Sequence, residues 1–174
     1  TPVWIRSGNV TIDGATIQST STEYQAVDAS RSGSGTDAIG SAIVIETNAK
    51  YSNESSLTVK GDAKIEANTG YAIEEAIHNN AGDVAEVSAI NLEGGSFTGG
   101  DQGLIHITTS TLEHEVTTIS GGTYDNYNDE DLTTMTTIVT GEDNHAIVVD
   151  NGSGNQPTLV IGRGEAPAAV DATF

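Results

Sequence analysis

Short apolar runs separated by glycine, asparagine, serine and aspartate form the dominant pattern along this chain of 174 residues. Such runs, rich in β-branched residues and bounded by turn formers, are typical of short strands. Residues 71–78 have a helical spacing, with Ile73 and Ile77 four apart, but the segment is short and follows Gly70, so we predict a strand with a turn. The runs assigned to strands are residues 10–12, 42–45, 57–59, 90–92, 104–107, 146–149 and 159–161. The pattern predicts an all-β chain.

A glycine-containing phrase recurs along these strands. Residues 92–97 read LEGGSF and residues 119–124 read ISGGTY, and weaker copies lie at residues 12–17, 59–65 and 161–164. A phrase that returns every ~20–50 residues is typical of stacked, solenoid-like architectures. The apolar residue before each glycine would point inward, and the paired glycines permit the positive φ of a corner. The side chains that follow the glycines would form one column: Ile17, Ile65, Phe97 and Tyr124.

Two kinds of sequence interval alternate between consecutive strands. The interval from the second strand of one coil to the first strand of the next coil is nearly constant. The interval from the first to the second strand of the same coil is either short or longer by about 15 residues. The additional residues, 19–37 and 125–134, therefore fall at one corner, in the first and fourth coils. A solenoid tolerates such insertions because its strands stay stacked while loops grow outward. A β-sandwich also has many short strands with turn signals and is the alternative.

The phrases at residues 92–97 and 119–124 resemble the "ISGGTF"-type repeats of bacterial cell-surface proteins. The resemblance covers most of residues 8–164 and implies a right-handed parallel β-helix, here a solenoid of about five coils with two corner insertions. Members of this broad class include adhesins, autotransporter-like passengers and polysaccharide-active enzymes. The resemblance therefore implies an extracellular or cell-surface location but no particular activity.

The chain is expected to form one domain over residues 1–174. We assign residues 1–8 to an N-terminal cap, residues 9–164 to the coils and residues 165–174 to a C-terminal tail or linker. Trp4 is expected to plug the open N-terminal end, since the ends of a solenoid must be capped. The start of the chain has neither an initiator methionine nor a signal peptide, which indicates a processed protein or a fragment.

Composition narrows the choice of partners. Six Lys and Arg face 25 Asp and Glu, a net charge of −19, so phosphate backbones and anionic lipid surfaces would be repelled. We therefore expect no nucleic-acid partner. No run of ~18 apolar residues is present, so we expect no membrane insertion. The chain has no cysteine, which implies that its core suffices without disulfides.

The two insertions are the expected binding region. If the coils stack in order, the insertions form two walls beside a floor about two strand spacings wide. Tyr24 and Tyr127 lie one in each wall, where a ring could cover a sugar face while neighbouring Asp125, Asn126 and Asn128 fix its hydroxyls. These five residues are the predicted ligand-binding set. Carbohydrate or a host surface protein is the expected partner, and self-association is a further candidate.

The acidic part of the second insertion also suggests a calcium site. Asp125, Asp129 and Asp131 alternate with other residues, and oxygen ligands at such spacing suit Ca²⁺. The segment departs from an EF-hand, because Glu130 stands where glycine is required. A solvated acidic turn is the alternative, so calcium is the one candidate cofactor and no other is indicated.

No catalytic motif is visible. The four histidines are scattered without the spacing of a zinc site, and six basic residues form no evident constellation. The favoured function is a non-enzymatic extracellular adhesion module of a bacterial surface protein that recognises carbohydrate or a host surface. The alternatives are a small polysaccharide lyase or glycosidase, which would use carboxylates in the groove, and a passive or self-associating stalk.

Overall fold

The fold was analysed in a computed structural model, which describes residues 1–26, 38–47, 55–77, 89–107, 117–138, 144–149 and 158–163. Within these residues lie fourteen strands and one helix. The strands are β1 (Val3–Ile5), β2 (Gly8–Asp13), β3 (Thr16–Ser19), β4 (Ile43–Thr47), β5 (Ser55–Lys60), β6 (Lys64–Ala67), β7 (Ile73–Ile77), β8 (Ala89–Leu92), β9 (Ser96–Thr98), β10 (Ile105–His106), β11 (Thr117–Ile119), β12 (Gly122–Asp125), β13 (Asn144–Val149) and β14 (Thr158–Arg163). The helix is α1 (Asp129–Ile138).

Every third strand along the first twelve joins the same sheet. Sheet A has the order β1-β4-β7-β10, sheet B the order β2-β5-β8-β11, and sheet C begins β3-β6-β9-β12. All pairs among these twelve strands are parallel. We call each set of three consecutive strands, one per sheet, a circuit. The chain is mostly β, as predicted, with largely parallel sheets, and α1 is a helix that the sequence analysis did not predict.

The register matches the apolar spacing of the sequence residue by residue. In sheet A, Ile73 pairs with both Ile43 and Ile105. In sheet B, Ile12, Val59, Leu92 and Ile119 lie on successive strands in one row. These are the residues between which the sequence intervals were measured, including the nearly constant interval from the second strand of one coil to the first strand of the next. The in-register rows are therefore a direct consequence of the interval between apolar runs.

The predicted fifth coil is wrong. Strand β14 pairs antiparallel with β12, where Ile161 lies opposite Gly122, and β13 pairs antiparallel with β14, where Ile147 lies opposite Val160. Both strands extend sheet C instead of adding to sheets A and B. The apolar alternation that suggested a coil reports which face of a strand is buried, and it carries no information about strand direction. The parallel circuits number four in the described chain.

The interior is filled by aligned rows of side chains from the three sheets. The rings of Phe97 and Tyr124 stack with their centroids 4.9 Å apart and an interplanar angle of 5°. Ile65 pairs with Phe97, and Ile17 pairs with Ile65, so the predicted column is confirmed. The hydroxyl of Tyr124 donates to the carbonyl of Gly121 at 2.7 Å, which satisfies its polar atom inside an apolar core.

The paired glycines form tight corners between sheets B and C. Gly95 and Gly122, the second glycine of each pair, have φ of 96° and 106°. This left-handed region strongly favours glycine. Gly121, the first glycine of its pair, passes so close to the preceding circuit that a Cβ there would lie 2.5 Å from the carbonyl oxygen of Glu93. Both glycines of the phrase are thus required, one for conformation and one for close approach.

Trp4 does not plug the end of the stack. Residues 1–8 contain β1, and Trp4 lies on the outer face of sheet A, packed with Ala38, Val44 and Ala76. Its indole N–H donates to Oε2 of Glu46 at 2.7 Å. Because side chains alternate between faces along a strand, the flanking Val3 and Ile5 face the interior and Trp4 cannot. The inward-facing Val3, Val10 and Ile17 of the first circuit are only partly buried.

The other end of the stack is covered differently. Helix α1 packs against β11, and Tyr127 and Met135 join the main core there. No helix in the described parts of the chain is long and apolar enough to cross a membrane.

The aromatic stack should be a major source of stability. We expect Phe97→Ala to lower the free energy of unfolding by about 3–5 kcal/mol, because it removes a fully buried ring and leaves a cavity beside Tyr124. Thr98→Ala, on the outer face of the same strand, should change it by about 0.5 kcal/mol or less. Urea unfolding followed by circular dichroism measures both. Equal losses in the two variants would contradict the role of the stack.

Candidate functional site

Both insertions leave sheet C at the same corner. The first follows β3, and the second follows β12. Strands β3 and β12 are the first and fourth parallel strands of that sheet, and the short turns after β6 and β9 lie between them. The two insertions therefore begin at one corner with two short turns between, as predicted, while residues 27–37 of the first insertion lie outside the described residues.

The corner turns are hydrogen-bonded to one another from circuit to circuit. Thr69 Oγ1 donates to the carbonyl of Glu23 at 2.9 Å, which joins the first and second circuits. The backbone N–H of Gly100 donates to the carbonyl of Gly70 at 3.0 Å, which joins the second and third. Asn126 Nδ2 donates to the carbonyl of Gly99 at 2.6 Å and joins the fourth circuit to the third. The corner is therefore a continuous, internally bonded ridge.

Three rings lie in a row beside this ridge, where sheet A begins. We name Tyr24, Tyr71 and His106 the ring cluster. Its members come from the first insertion, the turn before β7 and strand β10. The centroids of Tyr24 and Tyr71 are 5.9 Å apart at 81°, and those of Tyr71 and His106 are 5.4 Å apart at 33°. His106 is exposed and the two tyrosines are half-buried, so Tyr71 and His106 form a tilted floor against which Tyr24 stands edge-on.

A buried carboxylate lies beneath the ring cluster. Glu74 pairs with His106 across adjacent strands and is only 3% exposed. Its Oε2 accepts a hydrogen bond from Ser41 Oγ at 2.5 Å, and its Oε1 accepts one from the Tyr24 hydroxyl at 3.3 Å. Ser41 Oγ also accepts the backbone N–H of Tyr71 at 3.1 Å, so one hydroxyl links the carboxylate to the turn that carries a ring.

The electrostatic field in the ring cluster is negative. Burial raises the pKa of Tyr24 above its ordinary value of 10.0, and the charge of Glu74 raises it further. Burial also raises the pKa of Tyr71, followed by the charges of Glu74, Asp131 and Glu130. Asp131 and Glu130 belong to the first turn of α1, and Asp131 accepts the backbone N–H groups of Leu104 and Ile105, next to His106. The start of α1 therefore lies against the strand that carries His106.

The start of α1 is fixed by a reciprocal pair of hydrogen bonds. Oδ1 of Asn128 accepts the backbone N–H of Asp131 at 2.9 Å, and Oδ2 of Asp131 accepts the backbone N–H of Asn128 at 2.8 Å. This is the capping-box arrangement, in which two otherwise unpaired helix donors are satisfied. The carboxylate of Asp131 also accepts the backbone N–H groups of Leu104 and Ile105, each at 2.9 Å. Asp131 therefore ties α1 to the strand that carries His106.

Of the predicted ligand-binding residues, the ring cluster contains only Tyr24. Tyr127 is 8% exposed and packs in the main core, so the expectation of an exposed ring there is wrong. Asn126 bonds the neighbouring turn, and Asn128 caps α1. The carboxylate of Asp125 accepts the hydroxyl of Thr158 on the antiparallel strand β14. These polar side chains hold the corner together.

The predicted calcium site is not assembled. Asp131 is 2% exposed, and its oxygens accept three backbone N–H groups. Across the residues that the structure describes, no group of three or more His, Asp or Glu side chains is placed to hold a metal ion. Of the three carboxylates, Asp131 caps the helix, and the signal for it was the Asn-x-x-Asp spacing at residues 128–131.

Glu74, Tyr71 and His106 were not predicted as site residues. Two of them could have been identified from the aligned rows of sheet A, because Glu74 and His106 each follow an isoleucine of the same row. That row places both side chains on the outer face, one strand spacing apart.

An open polar depression of about 450 Å³ lies at the ends of β3, β6 and β9, but no aromatic residue lines it. The ring cluster therefore has the better chemistry for a ligand.

Asp131 should be essential for the local structure. We expect Asp131→Ala to lower the free energy of unfolding by about 2–3 kcal/mol, because buried backbone donors lose a charged acceptor. Glu130→Ala removes the same charge from an exposed neighbouring residue. It should lower the free energy of unfolding by only about 0.3–1 kcal/mol, because only the interaction of the charge with the helix dipole is lost. Urea unfolding measures both variants, and a loss no larger for Asp131→Ala than for Glu130→Ala would refute the anchoring role.

The raised tyrosine pKa values predict a loss of stability at high pH. A phenol whose folded-state pKa is raised contributes stability below the unfolded pKa of about 10, and this stability is lost as the pH rises toward the folded-state pKa. The free energy of unfolding should therefore fall progressively as the pH rises above about 10. Tyr24→Phe should make this decline shallower, whereas Thr11→Ala on sheet B should leave it unchanged. Urea unfolding at several pH values measures the decline, and an unchanged slope in Tyr24→Phe would contradict it.

Comparison with known proteins assigns neither a family nor a function to this site. A scan of protein-family models finds no match to this chain, and searches of curated proteins and of solved structures find none either.

Proposed function

We propose that the four circuits form a right-handed parallel β-helix closed at one end by α1 and the β13–β14 pair. The repeated sheet order supports this proposal, because each strand pairs in parallel with the strand three places along the chain. The handedness follows from the strong preference for right-handed crossovers between parallel strands of one sheet. The likeness of residues 92–97 and 119–124 to repeats of bacterial cell-surface proteins is consistent with it.

We propose further that the protein is a non-enzymatic extracellular adhesion module that recognises carbohydrate on a surface. The observation that carries this proposal is the row of Tyr24, Tyr71 and His106 above the buried carboxylate of Glu74. Aromatic rings supply apolar area for a sugar face, and a few fixed polar groups supply orientation.

The support beneath the rings favours binding over a purely structural role. His106 lies in a strand, and Tyr71 is held by a backbone hydrogen bond to Ser41, so the floor of the cluster is set by the sheet. A site built on regular elements is held more accurately than one built on loops. The exposed ring of His106 needs no partner for folding, and its place beside Tyr71 leaves a surface that a ligand can cover.

Substitution in the ring cluster should weaken glycan binding. We expect His106→Ala and Tyr71→Ala to reduce the affinity for a glycan identified on an array by about tenfold or more, since stacking contacts are lost. Thr11→Ala, exposed on sheet B, is the matched control and should bind as the unmodified protein does. Isothermal titration calorimetry measures the affinities. Unchanged binding by both ring variants, or no glycan bound at all, would overturn the proposal.

A further inference from the structure

The charge beneath the ring cluster is not neutralised within the described chain. Both hydrogen bonds to the Glu74 carboxylate come from hydroxyl groups, those of Ser41 and Tyr24. Among the described residues, no lysine or arginine forms an ion pair with it: Arg6 pairs with Glu46, and Lys60 with Asp13. A buried charge is costly unless it is paired. Glu74 therefore offers a strong attraction to any cation that reaches the cluster.

The second insertion adds negative charge next to the strand that carries His106. The first turn of α1 consists of Asp129, Glu130 and Asp131. The charges of Glu130 and Asp131 act on the phenol of Tyr71, so the field extends over the floor of the cluster. The whole chain adds to this field with its net charge of −19. A cation would therefore be concentrated at the site before any contact is made.

Aromatic faces in a negative field form a recognised type of site for organic cations. The electron-rich face of a tyrosine attracts an ammonium group within about 6 Å of its centroid, and this attraction grows when the group is desolvated. Tyr24 and Tyr71 present two such rings at 81° to one another, with the Glu74 carboxylate bonded to one of them. The arrangement matches an ammonium group better than it matches a neutral hydroxyl.

We propose that the ring cluster binds an amino sugar in its protonated form, with a face of the sugar on His106 and Tyr71 and the ammonium group over the tyrosine rings, in the field of the buried Glu74 carboxylate. This inference rests on the proposed recognition of carbohydrate and names the class of glycan. The adjacent rings of Tyr71 and His106 favour a sugar over an isolated lysine side chain, because the flat apolar face of a sugar can cover both rings. Neutral sugars would leave the Glu74 carboxylate without a counter-charge.

The test compares two oligosaccharides that differ only at the nitrogen. A glucosamine oligomer carries free amines, and its fully N-acetylated counterpart carries none. Calorimetric titration at about pH 6 and low salt should show the free-amine oligomer binding at least about tenfold more tightly. This advantage should shrink as the salt concentration rises, since the attraction is electrostatic.

Two substitutions locate the effect. Glu74→Gln should abolish the preference for the free amine, whereas Glu66→Gln makes the same change of charge on sheet C and should leave the preference intact. Circular dichroism checks that both variants are folded. If Glu74→Gln does not fold, His106→Ala replaces it, because the exposed ring can be removed without opening the core, and it should lower the affinity for the free-amine oligomer by about tenfold.

The outcomes separate the two proposals. Equal or tighter binding of the acetylated oligomer would overturn the preference for amines while leaving carbohydrate recognition in place. Binding of neither oligomer, nor of any glycan on the array, would overturn carbohydrate recognition itself. Equal effects of Glu74→Gln and Glu66→Gln would overturn the site. A lysine-rich peptide that binds as tightly as the free-amine oligomer, with the same dependence on Glu74, would overturn the choice of a sugar in favour of a protein partner.

Discussion

Parallel, in-register pairing between successive circuits is the constraint on which the rest of the structure depends. Once Ile73 pairs with both Ile43 and Ile105, every neighbouring residue has a fixed row and a fixed face. The same pairing in sheet C brings Phe97 onto Tyr124, so that identical positions of consecutive circuits stack ring on ring. A shift of one residue would exchange the inner and outer faces of a strand and bury its polar side chains. Register is therefore strongly specified wherever the interior is apolar.

The same pairing brings the turns of neighbouring circuits into close contact at two corners. Between sheets B and C the backbone of Gly121 passes close to Glu93, and at the corner after sheet C the backbone of Gly100 passes equally close to Gly70. Both insertions begin at the corner after sheet C. Side chains of the insertions are then tied back to the ridge, as Asp131 is to Leu104 and Ile105. The variable corner thus becomes an ordered surface, and the ring cluster lies beside it.

The sequence predicted those parts of the structure that depend on spacing. The rows through Ile12 and Ile43, the aromatic stack and the shared corner of the insertions all follow from intervals between apolar runs. The direction of β14 could not be predicted, because the alternation of Leu159, Val160 and Ile161 identifies a buried face and is the same for a parallel and an antiparallel strand. The burial of Tyr127 was also hidden, since its polar neighbours suggest exposure, and only the return of α1 with Met135 encloses it. Asp131, predicted as a metal ligand, accepts backbone N–H groups instead, a role that spacing alone does not distinguish.

Glu74 and Glu46 show why the outer face of sheet A differs from the other surfaces. Both carboxylates are buried on that face, and each accepts a hydrogen bond from an aromatic residue of the first circuit, Tyr24 or Trp4. Glu46 has Arg6 as a cationic partner, which also stacks on Trp4 with its guanidinium carbon 4.2 Å from the ring centroid. Glu74 accepts the hydroxyl groups of Tyr24 and Ser41, and no lysine or arginine of the described residues forms an ion pair with it. The pair at Glu46 therefore shows, within the same sheet, the arrangement of carboxylate, aromatic ring and cation that a bound ammonium group would complete at Glu74.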